Sequence, residues 1–398
     1  MRILHTSDWH LGRSFHGVGM LAAQAAFVDH LLEVVETERV DLVVVSGDVH
    51  DRALPPVDAV ELADETFARL AASPASVVVS SGNHDSPARL GFNARLADAA
   101  GVHLRTRWQE VGRPVLLEDR HGVVAVHAIP YLEPDAVRTA WDLPERSHEA
   151  ALTAAMNRVS ADLAGRPGAR SVVLAHGFVA GGPDAAGRMA SDSERDISVG
   201  GIQIAPTSLF TGVDYAALGH LHGRQTLSES VRYSGSPLAY SFSEAGHTKG
   251  SWLVELGAEG LVSAEFVAAP VPRRLAALRG RIDDLLHDAA HAEAQDAWLQ
   301  VTLTDRQRPL HAMERLRDRF PHTLAIAFDP EGAPRSRRPV LPRVDGRSDL
   351  DIALGFVAEV RELEATTEEE LLLQLACEAC RIDEDRDADF RVGQGVVG

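Results

Sequence analysis

Val77-Val-Val79-Ser-Ser81-Gly-Asn83-His84-Asp85 is the stretch on which the fold turns. Its first half is a β-branched run of the kind that forms a strand buried on both faces. Its second half breaks at a glycine and then offers an amide oxygen, an imidazole and a carboxylate. The Asn83 carbonyl suits a cation. His84 is a titratable ring beside it, and Asp85 can orient that ring through a hydrogen bond. Taken alone, the string is also explained as a plain Gly-Asn turn.

The same arrangement recurs four times. Ile3-Leu-His5 leads to Asp8-Trp-His10, and Leu42-Val-Val-Val45 leads to Gly47-Asp48. Val172-Val-Leu174 leads to Ala175-His176-Gly177, and Tyr215-Ala-Ala-Leu218 leads to Gly219-His220-Leu-His222. Each string has a plainer explanation by itself. An Asp after a strand is often a turn or capping residue, and a histidine is more often a satisfied core or surface residue than a ligand. All five in one chain, each just past a buried strand, describe a site for two metal ions at the carboxyl ends of strands. Two bridged divalent ions point to hydrolysis of a phosphate ester.

Between these strands, and beside a further run at Val123-Val-Ala-Val126, helical patterns cover Gln24 to Arg39 and Val57 to Ala72, which makes the class α/β. Val231-Arg-Tyr233, Ser251 to Glu255 and Ala264 to Val267 read as closing strands of the same domain. Pro270-Val-Pro272 marks a boundary. From Arg274 to about Asp329 the order reads helix, strand (Trp298 to Leu303), helix (Leu310 to Arg319), strand (Thr323 to Phe328), a small α/β unit. The Pro- and Arg-rich Gly332 to Arg347 reads as an extended link. Ser348 is a candidate N-cap for a helix with Leu350, Leu354, Val357 and Val360 near one face. Thr367-Glu-Glu-Glu370 resembles a capping box before Leu371, Leu372, Leu375 and Ala379. From Asp383 the end is acidic. The expected divisions are 1–268, 270–331, 332–347 and 348–398.

The 398 residues exceed what one compact core usually holds. No apolar run has the length of a membrane span, and Arg2-Ile-Leu-His-Thr-Ser-Asp8 lacks a signal-peptide layout, so a cytoplasmic protein is expected. Cys377 and Cys380 are the only cysteines, which rules out a disulfide framework. Their C-x-x-C spacing falls within one helical pattern, where they read as small apolar residues. The net charge of −19 argues against an autonomous nucleic-acid binder. It leaves room for a nuclease whose metals and partner supply positive charge.

The motifs Asp8-Trp-His10-Leu-Gly-Arg13, Ser46-Gly-Asp48-Val-His-Asp51, Gly82-Asn-His-Asp-Ser-Pro87 and Gly219-His-Leu-His222 resemble those of calcineurin-type metallophosphoesterases. Ile129-Pro-Tyr131-Leu, Gly177-Phe-Val-Ala-Gly-Gly182, Ser193-Glu-Arg195, Val199-Gly-Gly201 and Tyr233-Ser-Gly-Ser-Pro237 narrow the resemblance to the SbcD family, the nuclease subunits of SbcC–SbcD complexes.

The resemblance implies a four-layer α/β/β/α metallophosphoesterase domain, a small α/β capping domain and C-terminal helices. It implies that Asp48 bridges two ions, that Asp8, His10 and His222 complete one shell, and that Asn83, His176 and His220 complete the other. His84 would stay off the metals and act on the reacting phosphate, with Asp85 or Asp51 holding its ring. His50 departs from the more usual Phe and is expected to be a tolerated ring replacement.

Nitrogen and oxygen ligands without thiolate suit Mn²⁺ better than Mg²⁺. A bridging carboxylate sets the ions roughly 3.5 to 4 Å apart. The resemblance implies Mn-dependent 3′–5′ double-strand exonuclease and single-strand endonuclease activity. It also implies DNA, an SbcC-like ATPase held by the C-terminal helices, and a second copy within a heterotetramer as partners; the helical stretch from Gly91 to Ala100 could contribute to the last. Arg13, Arg89 and Arg188 are DNA-contact candidates. A stand-alone phosphoesterase for small esters, or a non-catalytic DNA-end tether, stays open.

Overall fold

The computed structural model describes residues 1–180, 204–331, 348–361 and 364–377. The expected link at 332–347, the Ser193-Glu-Arg195 and Val199-Gly-Gly201 motifs, Arg188, Cys380 and the acidic end lie outside the described residues. The chain forms two compact units, Met1–Phe328 and Asp329–Gly398.

The first unit runs β1 (Arg2–Thr6), α1 (Leu21–Thr37), β2 (Leu42–Ser46), α2 (Val57–Ala71), β3 (Ser76–Ser80), β4 (Val102–Arg105), β5 (Val115–Asp119) and β6 (Gly122–Ile129). It continues through α3 (His148–Ala164), β7 (Arg170–His176), β8 (Tyr215–Gly219), β9 (Gln225–Thr226), β10 (Val231–Tyr233), β11 (Gly250–Gly257) and β12 (Gly260–Ala268). One six-stranded sheet has the order β12-β11-β1-β2-β3-β4 and the other β9-β10-β8-β7-β6-β5.

The apolar runs split their side chains by the two-residue period of a strand. Ile3, Leu42, Val44 and Val78 point inward and meet Val124, Val126, Val172, Leu174 and Tyr215 of the other sheet. Leu4, Val43, Val45, Val77 and Val79 point outward onto Phe27, Leu31 and Val35 of α1 and Ala59, Ala63 and Leu70 of α2. On the opposite outer face, Val173, Ala175, Ala216 and Leu218 pack beneath Ala151, Leu152, Ala155 and Val159 of α3. This is the expected four-layer α/β/β/α arrangement. Strands β1, β2 and β3 are parallel and level, with Thr6 opposite Val45 and Ser46 opposite Ser80. In the second sheet, β7 and β8 are parallel, with His176 opposite Gly219.

Three further parallel strands follow: β13 (Leu275–Gly280), β14 (Trp298–Leu303) and β15 (Thr323–Phe328). Here the structure departs from the expected order, because the helix expected from Arg274 is a strand. Leu275-Ala-Ala-Leu contains good helix formers, but Leu275 through Gly280 pair with Trp298 through Leu303, and tertiary pairing overrides propensity. A short helix follows only at Ile282–His287. Leu275, Trp298, Leu324 and Ala325 close over Phe15, Met20, Leu238, Tyr240 and Phe242 of the sandwich.

In the second unit, Asp349–Arg361 is helical. Ser348 caps it: the Asp351 N–H donates to Ser348 Oγ at 3.2 Å, and the Ser348 N–H donates to Asp351 Oδ2 at 3.1 Å. The next helix, 367–377, is capped one residue earlier than the sequence suggested. Thr366 takes the N-cap, with its N–H on Glu369 Oε2 at 3.0 Å and its Oγ1 accepting the Glu369 N–H at 3.4 Å. Among the described residues, no helix is long and apolar enough to cross a membrane.

Arg170 ties the rim of one sheet to the other. Its guanidinium donates to Asp119 Oδ2 at 3.0 Å, to the Gly122 carbonyl at 2.9 Å and to the Gly257 carbonyl at 3.1 Å. Asp119 also accepts the Met1 ammonium at 2.8 Å. The hydrogen bonds from Arg170 hold the Asp119 carboxyl well below the usual carboxylate range. Such a group stabilises the fold above its unfolded pKa, near 4, and loses that contribution as pH falls through its folded value. Asp119→Asn is therefore expected to cost about 2 kcal/mol in urea melts at pH 7. The gap from wild type should narrow as the pH is lowered below about 4.

Candidate metal centre

The five strings meet at one rim of the sandwich. Asp8, Asp48 and Asn83 follow β1, β2 and β3, while His176 ends β7 and His220 follows β8. The first loop lies along the second. The Asp8 N–H donates to the Gly47 carbonyl at 3.0 Å, and the His10 N–H to the Asp48 carbonyl at 3.0 Å. Asp8, His10, Asp48 and His220 all have positive φ, at 53°, 47°, 52° and 111°. Non-glycine residues are seldom held there, and such strain gathers at functional sites. Two glycines make the close approach possible. A Cβ at Gly219 would sit 1.8 Å from the Ser46 carbonyl oxygen, and one at Gly82 would sit 2.1 Å from Asp48 Oδ1.

Asp8, His10 and His222 bring one ligand atom each to within 4.8 Å of one another, and so do Asp8, Asp48 and His176. His10 Nε2 faces His222 Nε2 at 3.0 Å. Asp48 Oδ2 lies 3.6 Å from His10 Nε2 and 3.5 Å from His176 Nε2. Asn83 Oδ1 lies 2.9 Å from His176 Nε2 and 3.3 Å from His220 Nδ1. The His176 Nδ1–H donates to the Ser46 carbonyl at 2.8 Å, which leaves the lone pair on Nε2, facing the centre. All seven residues named as ligands thus converge, His220 through Asn83 and through its N–H, which donates to both oxygens of Asp8 at 3.1 Å.

Burial sets the charge states. It pushes the Asp8 carboxyl up to about 7 and His222 down to about 4, and holds His10 and His220 well below the usual imidazole range. The His10, His220 and His222 rings are therefore neutral, as ligands must be. Two facing imidazole nitrogens share at most one proton, and the Asp8 and Asp48 carboxylates are withdrawn from water beside them. The donor set fits a pair of divalent cations.

The remaining site candidates have different tasks. The Asp85 carboxylate accepts the N–H groups of Val49, His50 and Gly82 at 3.1, 2.9 and 3.0 Å. It pins the two loops together. The ring of His84 is held instead by the Asp51 carbonyl, which accepts its Nδ1–H at 2.7 Å. The Asp51 carboxylate stands 3.6 Å from His10 Nδ1 and 3.5 Å from Arg13. His84 also falls within 4.8 Å, ligand atom to ligand atom, of His10 and Asp48, so it stands at the centre's edge. His50 turns its Nδ1 toward Asp85 at 3.4 Å.

Several supporting residues carry no strand-end signal and were not legible. Gln24, inside α1, donates to the His10 carbonyl at 2.7 Å and accepts the Gly12 N–H at 3.0 Å. The Tyr240 ring packs edge-on to His10 with centroids 5.6 Å apart.

A family model matches the part of the chain that carries the seven residues named as ligands. The model of calcineurin-like phosphoesterases matches residues 1–224, more than half of the chain. A second model, SbcD_C, described as the type 5 capsule protein repressor C-terminal domain, matches residues 271–361. Among solved structures, TT1561 of Thermus thermophilus is similar at 12% identity and a TM-score of 0.39, over 67% of this chain and 98% of that one. A dimetal phosphatase from Danio rerio is similar at 13% identity and a TM-score of 0.38, over 68% and 99%.

The close approach at Gly219 can be checked without metal. Gly219→Ala is expected to lower the stability of the metal-free protein by about 3 kcal/mol, because backbone must move. Gly212→Ala, at φ +87° with open space around it, should cost only about 1 to 2 kcal/mol. Denaturant melts of the two variants make the comparison.

Proposed function

The chain belongs to the calcineurin-like phosphoesterase family, the SbcD_C match in series supports the SbcD branch, and we propose that it is a Mn²⁺-dependent DNA nuclease subunit. In this proposal Asp48 bridges two ions. Asp8, His10 and His222 hold one, and Asn83, His176 and His220 hold the other. The observation that carries it is the position of Asp48 Oδ2, nearly equidistant from His10 Nε2 and His176 Nε2 at 3.6 and 3.5 Å. Two divalent ions supply Lewis acidity and a close pair of positive charges for the charge that develops on a phosphodiester.

The chain's own residues do the rest. Asp85 and the Gly47 and Gly82 turns hold the ligand loops in register. The Asp51 carbonyl accepts the Nδ1–H of His84 and fixes its ring, which leaves Nε2 as the nitrogen for the substrate. We assign it to the reacting phosphate, where it stabilises charge or carries a proton to the leaving sugar oxygen. Arg13, stacked 5.1 Å from the Tyr240 ring, is a basic group within reach of the backbone of the substrate.

The partner assignment draws on exposed apolar surface. Leu371, Leu372 and Leu375 of 367–377 are more than half exposed, as is Phe356 of the preceding helix. We assign these helices to an SbcC-like ATPase by helix-in-groove contact. Phe92 and Leu96, about 70% exposed, are assigned to contact with a second copy of the chain.

The purified protein is expected to degrade blunt linear duplex DNA with Mn²⁺, poorly with Mg²⁺ and not in EDTA, and Asp48→Ala should lose the activity. Hydrolysis of a small aryl phosphodiester without DNA cleavage, even with the ATPase added, would overturn the nuclease assignment. His84→Ser is expected to keep bound Mn²⁺ and lower turnover about 10²- to 10⁴-fold. Loss of its manganese would overturn the role given to His84.

A further inference from the structure

We propose that Glu244 and Lys249 are positioning residues that fix His222 for the ion it shares with Asp8 and His10, through a buried ion pair behind the ring. The proposal rests on the metal assignment above and deepens it. Glu244 Oε1 lies 3.3 Å from His222 Nδ1. An ionised carboxylate only accepts, so Nδ1 carries the proton and the lone pair stands on Nε2, the atom that faces His10. The carboxylate thus selects the ligating tautomer and sets the plane of the ring.

Lys249 holds the other end of the same residue. Its ammonium donates to the His222 carbonyl at 2.8 Å, to Ser236 Oγ at 3.0 Å and to Glu244 Oε2. Ser236 completes the arrangement, because its N–H also donates to the His222 carbonyl at 3.2 Å and its hydroxyl donates to the Leu238 carbonyl at 2.7 Å. Both the ring and the backbone of His222 are therefore fixed from one ion pair.

The choice of side chain agrees. The chain has 39 Lys and Arg residues, and Lys249 is the only lysine. A planar guanidinium spreads its donors in a fork and does not match three acceptors gathered around one nitrogen. Glu244 is 1% exposed and Lys249 8%. A buried ion pair gains little stability over apolar side chains of the same size, so stability does not account for this one. The turn that carries Glu244 is anchored by Phe242, whose ring lies 5.0 Å from Phe15 in the apolar seam beneath the capping strands.

The test is a Mn²⁺ titration of the full-length metal-free protein, followed by electron paramagnetic resonance of free and bound ion. Wild type is expected to bind two ions, and His222→Ala identifies which one His222 serves. Glu244→Leu/Lys249→Met leaves no unpaired buried charge, so its metal-free form should melt near wild type. It should bind the His222 ion about 10- to 100-fold more weakly and leave the other unchanged. Glu244→Gln/Lys249→Met, which keeps an acceptor oxygen and leaves no buried charge unpaired, should recover part of the loss, and it is the variant to read if the Leu/Met pair fails to fold. Wild-type affinity at both sites in the folded variant overturns the proposal. A wild-type protein that binds no Mn²⁺ overturns the metal assignment instead.

Discussion

Five imidazoles and two carboxylates, almost wholly out of water, share one rim of this molecule: His10, His84, His176, His220 and His222 with Asp8 and Asp48. Such a group is costly to bury unless a cation completes it. Much of the surrounding structure can be understood as holding it together. Level parallel strands deliver Asp8, Asp48 and Asn83 from one sheet, and His176 and His220 come from the other. The packed faces between the sheets fix the two sets of strand ends against each other, with Tyr215 and Val172 wedged against Ile3 and Val44. Left-handed backbone at four of the site residues is the strain this convergence demands.

Much of this was legible in the chain. Leu42 to Val45 and Val77 to Val79 read as buried strands because nothing polar interrupts them, and the glycine after each marks where the backbone must turn. The ligand strings were legible because they fall just past those runs. What was not legible depended on distant pairing. Leu275-Ala-Ala-Leu becomes a strand only by its register with Trp298 to Leu303. Asp85 or Asp51 was expected to hold the His84 ring; the Asp51 carbonyl does so, while three backbone N–H groups from two loops claim the Asp85 carboxylate. Gln24, Tyr240, Glu244 and Lys249 act on ligands that lie on other elements, 14 or more positions away in sequence, and no local pattern announces them.

The charge of the chain also takes on a physical meaning at this site. A net charge of −19 repels a polyanion over most of the surface. In the function proposed above, the positive potential that holds a phosphodiester comes from ions in the centre, from residues such as Arg13 and from a partner. Strands β13 to β15 and the Glu244 turn meet in the same apolar seam, so the small sheet and the support of His222 share their packing.

The central claim is that Asp48 stands between two ions. Anomalous scattering from crystals grown with Mn²⁺ tests it directly. Two peaks roughly 3.5 to 4 Å apart on either side of Asp48, one against His10 and His222 and the other against His176 and Asn83, are the predicted result. A single peak, or two that leave Asp48 outside the space between them, would contradict it.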